Sequence, residues 1–190
     1  MGKVKMSITQ KQRAKIIVNS YKNWDLKGKK VLDVGCGNGV VSQVLKDDLD
    51  LDLYGTDIID YCTIDIPFKK MNEKTNLPFK DLFFDYIMFN DVLHHSDDNT
   101  ITSLLIEGKR VANAIIIVED KKLFFSNVFE TTVNYFYSSR MACPSNFKTK
   151  QEWLSLFEKL GLNCEESEVI YPLWYPLRHM VFKLTKYDKD

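Results

Sequence analysis

The chain has 190 residues, 45% hydrophobic and 27% charged, which suits one α/β domain with its own core and leaves too little for two. Formal charge sums to zero, so no global basic field draws in nucleic acid. No apolar run approaches the length of a membrane span and no apolar leader precedes the first charged residues, so a cytoplasmic protein is expected. Cys36, Cys62, Cys143 and Cys164 are scattered singly. Without a CxxC pair or a Cys/His ligand spacing, they point to reduced thiols and to no structural metal.

Charge is uneven along the chain. Residues 1–30 carry nine Lys/Arg against Asp25 alone, a net +8, so the remainder sums to −8. Two readings stand: a solvated basic helix, or a patch for RNA or an acidic substrate. Ser7 or Thr9 can cap this helix, which runs to about Tyr21 with Ile16, Ile17 and Tyr21 on one face. We treat residues 1–27 as a basic helical segment preceding one domain over residues 28–190.

The turn "DLKGKK" leads into a first strand, Lys30 to Val34, followed by a helix to about Asp48. "LDLYGTDI" is a second strand ending at Asp57. A short third strand is expected near Phe68 to Met71, and "FDYIMFN" is a buried fourth. Asp97, Asp98 and Asn99 are capping candidates for a helix from Thr100 to Val111. The unbroken apolar run of "AIIIVED" marks a strand covered on both faces of a parallel sheet. An aromatic segment, Leu123 to Tyr137, follows. "TKQEWLSLFEKLGL" is an amphipathic helix with a capping box at Thr149 and Glu152 and Gly161 at its end. Strand-like runs near Glu168–Tyr171 and Met180–Thr185 close the chain. Strand and helix alternate, so a doubly wound sheet with a terminal hairpin is expected.

In "VLDVGCGNGV" a strand runs into Gly35, Gly37 and Gly39 just before a helix, which makes a nucleotide-binding corner. A phosphate loop would need a Lys–Ser/Thr pair after the glycines, and none follows. Asp33, two residues before Gly35, would repel a pyrophosphate but suits a ligand bearing an ammonium group. Asp57, at the end of the next strand, is placed to accept both hydroxyls of a ribose.

With "LYGTDI", "LPFKDLFFDYIMFNDVLHH" and "FKTKQEWLSLFEKLGL", in that order over most of residues 28–186, the chain resembles the class I S-adenosylmethionine-dependent methyltransferases of the type 11 group. The resemblance implies a Rossmann-like seven-stranded sheet in the order 3-2-1-4-5-7-6 with strand 7 antiparallel, and S-adenosylmethionine as cofactor. It implies that Asp33 orients the methionine ammonium while Gly35, Cys36 and Gly37 present backbone to the methionine and sugar. Asp57 would bind the ribose and Ile58 would pack on the adenine, with Asn72 or Glu73 near its amino group. Asn90 and Asp91 would close the floor beneath the sulfonium. The family's "PGG" turn before strand 5 is missing, and "RVANAIIIVED" runs straight through.

Methyl transfer from a sulfonium is an in-line displacement that rests on positioning and desolvation, and it needs a base only for an acceptor that loses a proton. His94 and His95, after the fourth strand, are the candidate bases, although "LHH" at this point also serves structure in the family. Glu119 and Asp120 end the fifth strand toward the same cleft. The aromatic segment and "YPLWYPLRH" make either a cavity for a flat small molecule, or core, or a dimer face. "NDVL" replaces the [DN]PP[YFW] of base-amine methyltransferases, so a small-molecule acceptor is favoured over RNA. A catalytically inactive binding scaffold is the third alternative.

Overall fold

The computed structural model describes residues 8–21, 24–120, 146–170 and 179–187. Seven strands form one sheet: β1 (Lys30–Val34), β2 (Asp52–Asp57), β3 (Phe68–Lys70), β4 (Phe84–Asn90), β5 (Ala112–Asp120), β6 (Leu162–Ile170) and β7 (His179–Lys186). Their order is β3-β2-β1-β4-β5-β7-β6. β7 runs antiparallel to both β5 and β6, and every other pairing is parallel. This is the expected doubly wound α/β architecture.

Helices α1 (Ile8–Tyr21), α2 (Val40–Leu49), α3 (Asp98–Val111) and α4 (Lys150–Lys159) supply the layers. Successive residues of a strand face opposite sides, and β4 shows the result. Ile87 and Phe89 join one core with Ile101 and Leu105 of α3 and with Trp153 and Phe157 of α4. Met88 joins the other, with Ile17, Val18 and Tyr21 of α1 and Leu45 of α2. Cover on both faces is why β5 reads as an unbroken apolar run.

Local signals set the helix ends. The Asp97 carboxylate accepts from the Thr100 N–H at 2.8 Å, starting α3 two residues before the expected Thr100. At α4, Thr149 Oγ1 accepts from the Glu152 N–H at 3.2 Å while Glu152 accepts from the Thr149 N–H at 2.6 Å, which is the expected capping box. Gly161 follows at φ +62°.

One boundary differs from expectation. β6 begins at Leu162, well before Glu168. "NCEESE" hides it, because an edge strand with one neighbour tolerates polar residues that a central strand would not. Ala14, Ile17 and Tyr21 of the basic helix α1 are fully buried against the sheet. The aromatic Leu123–Tyr137 segment and residues 171–178 lie outside the described residues.

Candidate active site

The site forms where β1 sits between β2 on one side and β4 on the other, so that the loops beyond their ends diverge and leave a crevice. The chain leaves β1 through Gly35, at φ +71°, whose N–H donates to the Thr56 carbonyl at 2.8 Å. A Cβ at Gly35 would collide with the Val92 side chain, so both the angle and the space require glycine. Gly39 at φ +81° caps α2 and aims the helix N-terminus at the crevice.

Asp57 ends β2, and its carboxylate is held from two sides. Oδ2 accepts from the Gly37 N–H at 2.9 Å, and Oδ1 accepts from the Ile59 N–H at 3.1 Å. The acid is thereby oriented before any ligand arrives. Ile58 beside it is 44% exposed, an apolar surface facing the crevice.

The other end of the crevice is organised around Asp33, which is 3% exposed. Its Oδ2 accepts from Ser42 Oγ at 2.6 Å and its Oδ1 from Asn90 Nδ2 at 3.1 Å, and Asn90 Oδ1 in turn accepts from the Tyr21 hydroxyl at 2.5 Å. Burial pushes the Asp33 carboxyl up to about 6, against the pull of the Ser42 and Asn90 hydrogen bonds. A buried acid that ionises reluctantly is one that a bound cation would stabilise.

Asp91 follows at φ +50°, a strained backbone for a residue with a side chain. Burial works to raise its pKa, but Arg13 and His179 outweigh that and hold the carboxyl well below the ordinary range. Arg13 Nε donates to Asp91 Oδ2 at 2.6 Å, while His179 Nδ1 lies 3.7 Å from Asp91 Oδ1 and 2.9 Å from Asp120 Oδ1. Burial alone would lower His179, yet Asp120 and Asp91 raise it to about 10. Asp91, Asp120 and His179 each bring a metal-ligating type of atom within 4.8 Å of the others. Protonated His179 and Arg13 already balance the two carboxylates, so the group reads as an ion-paired cluster.

The two expected histidines part company. His94 is buried, with Nδ1 2.6 Å from Glu119 Oε2 and its ring stacked on Phe147 at 5.0 Å. Glu119 also accepts from the N–H groups of Val92 at 3.0 Å and Leu93 at 2.6 Å, so His94 and Glu119 brace the turn after β4 and do not face the crevice. His95 lines it, together with Ser96.

The crevice encloses about 620 Å³, within the range of small-molecule sites. Asp33, Gly35, Cys36, Gly37, Asp57, Ile58, Asn90, Asp91 and His95 all line it. Asn72 and Glu73 are exposed and are not among the lining residues, where Met71 and Lys74 stand instead. Asp120 likewise turns to His179 rather than to the crevice. Sequence reasoning missed Arg13 and Ile17 in the crevice lining and Tyr21 behind Asn90. Their spacing of four is itself the signal, since it puts all three on one face of α1.

A family model described as a methyltransferase domain matches residues 9–167. Magnesium protoporphyrin IX methyltransferase from Synechocystis PCC 6803, solved with bound S-adenosylhomocysteine, is 17% identical with a TM-score of 0.65, over 97% of this chain and 90% of its own. The 1,6-didemethyltoxoflavin-N1-methyltransferase of Burkholderia thailandensis, solved with bound 1,6-didemethyltoxoflavin and S-adenosylhomocysteine, is 14% identical with a TM-score of 0.64, over 95% of this chain and 79% of its own. A SAM-dependent methyltransferase from Methanosarcina mazei is 16% identical with a TM-score of 0.67, over 90% and 96%. No curated protein matches the chain.

Proposed function

The chain belongs to the methyltransferase-domain family, and from that premise we propose that it transfers the methyl group of S-adenosylmethionine to a small-molecule acceptor in the cytoplasm. One observation carries the cofactor assignment. Two carboxylates of different character stand at the two ends of one crevice, joined by the glycine turn. Asp57, pre-oriented by two backbone N–H groups, suits the ribose hydroxyls. Asp33, buried and reluctant to ionise, suits the methionine ammonium, with Asn90 beside it. Arg13 reaches the same end and suits the methionine carboxylate. Ile58 offers the adenine an apolar face.

Positive charge leaves sulfur as the methyl group moves, so the protein's task is to hold donor and acceptor in line and to keep water out. Asp91, kept ionised by Arg13 and His179, forms with Asn90 the floor beneath the sulfonium. His95 is the crevice-facing group suited to take a proton from a hydroxyl or amine acceptor. The enclosed volume supports a small acceptor. No described helix is long and apolar enough to cross a membrane, and the scattered cysteines support a reducing compartment.

Calorimetric titration with S-adenosylmethionine and S-adenosylhomocysteine is the direct test. Micromolar binding by the wild type that is lost in Asp57→Ala is expected. A well-folded wild type that binds neither would leave the inactive-scaffold reading standing. With the cofactor established, turnover against small molecules and then against tRNA separates the acceptor classes. His95→Ala should lower kcat while His94→Ala acts through stability.

A further inference from the structure

Two thiols stand at the glycine turn with no role in methyl transfer. Cys36 lies inside the turn between Gly35 and Gly37, and Cys62 sits on the loop that follows β2. That loop is fastened onto the turn. The Thr63 N–H and Oγ1 both donate to the Asn38 carbonyl, at 3.1 and 2.9 Å. A Cβ at Gly39 would lie 3.1 Å from Cys62 Sγ, and one at Gly55 would lie 3.0 Å from Cys36 Sγ. The Gly39 N–H donates to the Cys36 carbonyl at 3.0 Å, so Cys62 Sγ sits against the same turn that carries Cys36. Thr63, next to Cys62, is the residue that pins the loop there.

We propose that Cys36 and Cys62 are an oxidative modification site, at which a peroxide-class oxidant closes a disulfide that disables the cofactor cradle. The proposal rests on the cofactor reading above only for its functional consequence. Half-buried Cys62 is the thiol an oxidant reaches, while Cys36 is nearly enclosed. The Cys62 thiolate attacks peroxide, its S–O bond forms as the O–O bond breaks, and hydroxide leaves with a proton to become water. Cys36 then attacks the sulfenyl sulfur. The S–S bond forms, the S–O bond breaks, and the departing hydroxide takes the Cys36 proton as a second water. Two thiols lose two electrons and one peroxide gains them. Burial, with Asp33 and Asp57 nearby, pushes the Cys36 thiol up, so little of it is thiolate and the closing step is slow.

Bonded sulfurs sit about 2 Å apart, closer than unbonded thiols, so closure must move one wall. Cys36 is constrained, since Gly35 already abuts Val92 and the Gly37 N–H is tied to Asp57. The Cys62 loop is itself fastened to Asn38 through Thr63, so neither side yields freely. Closure therefore strains the turn at Gly37 and Asp57, the ribose end of the crevice.

The test uses the full chain, reduced and then exposed to hydrogen peroxide. Cys36 and Cys62 fall in separate tryptic peptides, residues 31–46 and 47–69. Expected is a linked pair lighter by about 2 Da than the two reduced peptides together. S-adenosylhomocysteine affinity should fall at least about tenfold and return with dithiothreitol. Cys62→Ser should bind S-adenosylhomocysteine like the reduced wild type and keep that affinity through peroxide. Oxidation elsewhere without this link, or a link that leaves affinity unchanged, overturns the proposal. If the link forms in a protein that never binds S-adenosylhomocysteine, the disulfide site stands and the cofactor reading falls.

Discussion

Asp33→Asn should make the empty protein more stable and the liganded one weaker. Folding carries the Asp33 carboxyl from its ordinary 3.8 to about 6, and at about 1.4 kcal/mol per pH unit that is about 3 kcal/mol against folding above pH 6. The sign follows from which form the fold disfavours. A raised acid pKa means the folded state binds the proton more tightly, so the penalty is absent below about pH 4. It grows between 3.8 and 6 and is complete above. Asparagine carries no charge to desolvate but gives up one of the two acceptor contacts with Ser42 and Asn90, a loss of about 1 kcal/mol. The expected net gain is about 2 kcal/mol at pH 7.5, or about 1 M in the urea midpoint. Urea denaturation at pH 7.5 and pH 4.5 reads it, and the gain should shrink toward zero at the lower pH. Calorimetry should show S-adenosylmethionine affinity down at least about tenfold. A variant no more stable than wild type at pH 7.5, or one equally stabilised at both pH values, would refute the reasoning.

Wild-type affinity for S-adenosylmethionine should itself fall below pH 6, because the ammonium favours ionised Asp33; buffer-dependent binding enthalpies near pH 6 should reveal the released proton. His179 is raised from 6.5 to about 10, so it contributes stability that is complete below pH 6.5 and lost as pH rises through 10. Thermal melts from pH 7 to 10 should decline, and His179→Gln should flatten that decline. Arg13→Met leaves Asp91, which is 6% exposed, without its closest cation; denaturation should show a loss of about 3 kcal/mol. Gly35→Ala forces a side chain onto Val92 at φ +71° and should abolish cofactor binding, with a clear drop in melting temperature.

Strand order and the glycine corner were legible because they rest on local rules. Buried strands show as apolar runs, a turn with positive φ demands glycine, and an acid at a strand end is placed by the strand itself. Asp33 and Asp57 could be found this way. Other features needed the fold. His94 and His95 are identical neighbours in the chain, yet a single turn of 3₁₀ helix from Leu93 to His95 sends one to Glu119 and the other to the crevice. Asp120 sat in a strand end that could face either way, and its partner His179 is distant in sequence. β6 was hidden by "NCEESE", since edge position, which permits those polar residues, is a property of the finished sheet.

The placement of β7 between β5 and β6 also constrains the order in which the molecule can be made. β6 is translated first but pairs only with β7, so it has no seat on the sheet until the last strand arrives. The two must dock together, as a hairpin, against a β5 edge that is open until then. That strand brings His179 to Asp91, 88 positions earlier. A nascent chain can thus shape the glycine corner early, but the charge balance beneath it is completed only by a contact that spans 88 positions of sequence. Contacts of that kind form late and slowly, and until they do, an apolar strand edge is open to wrong partners.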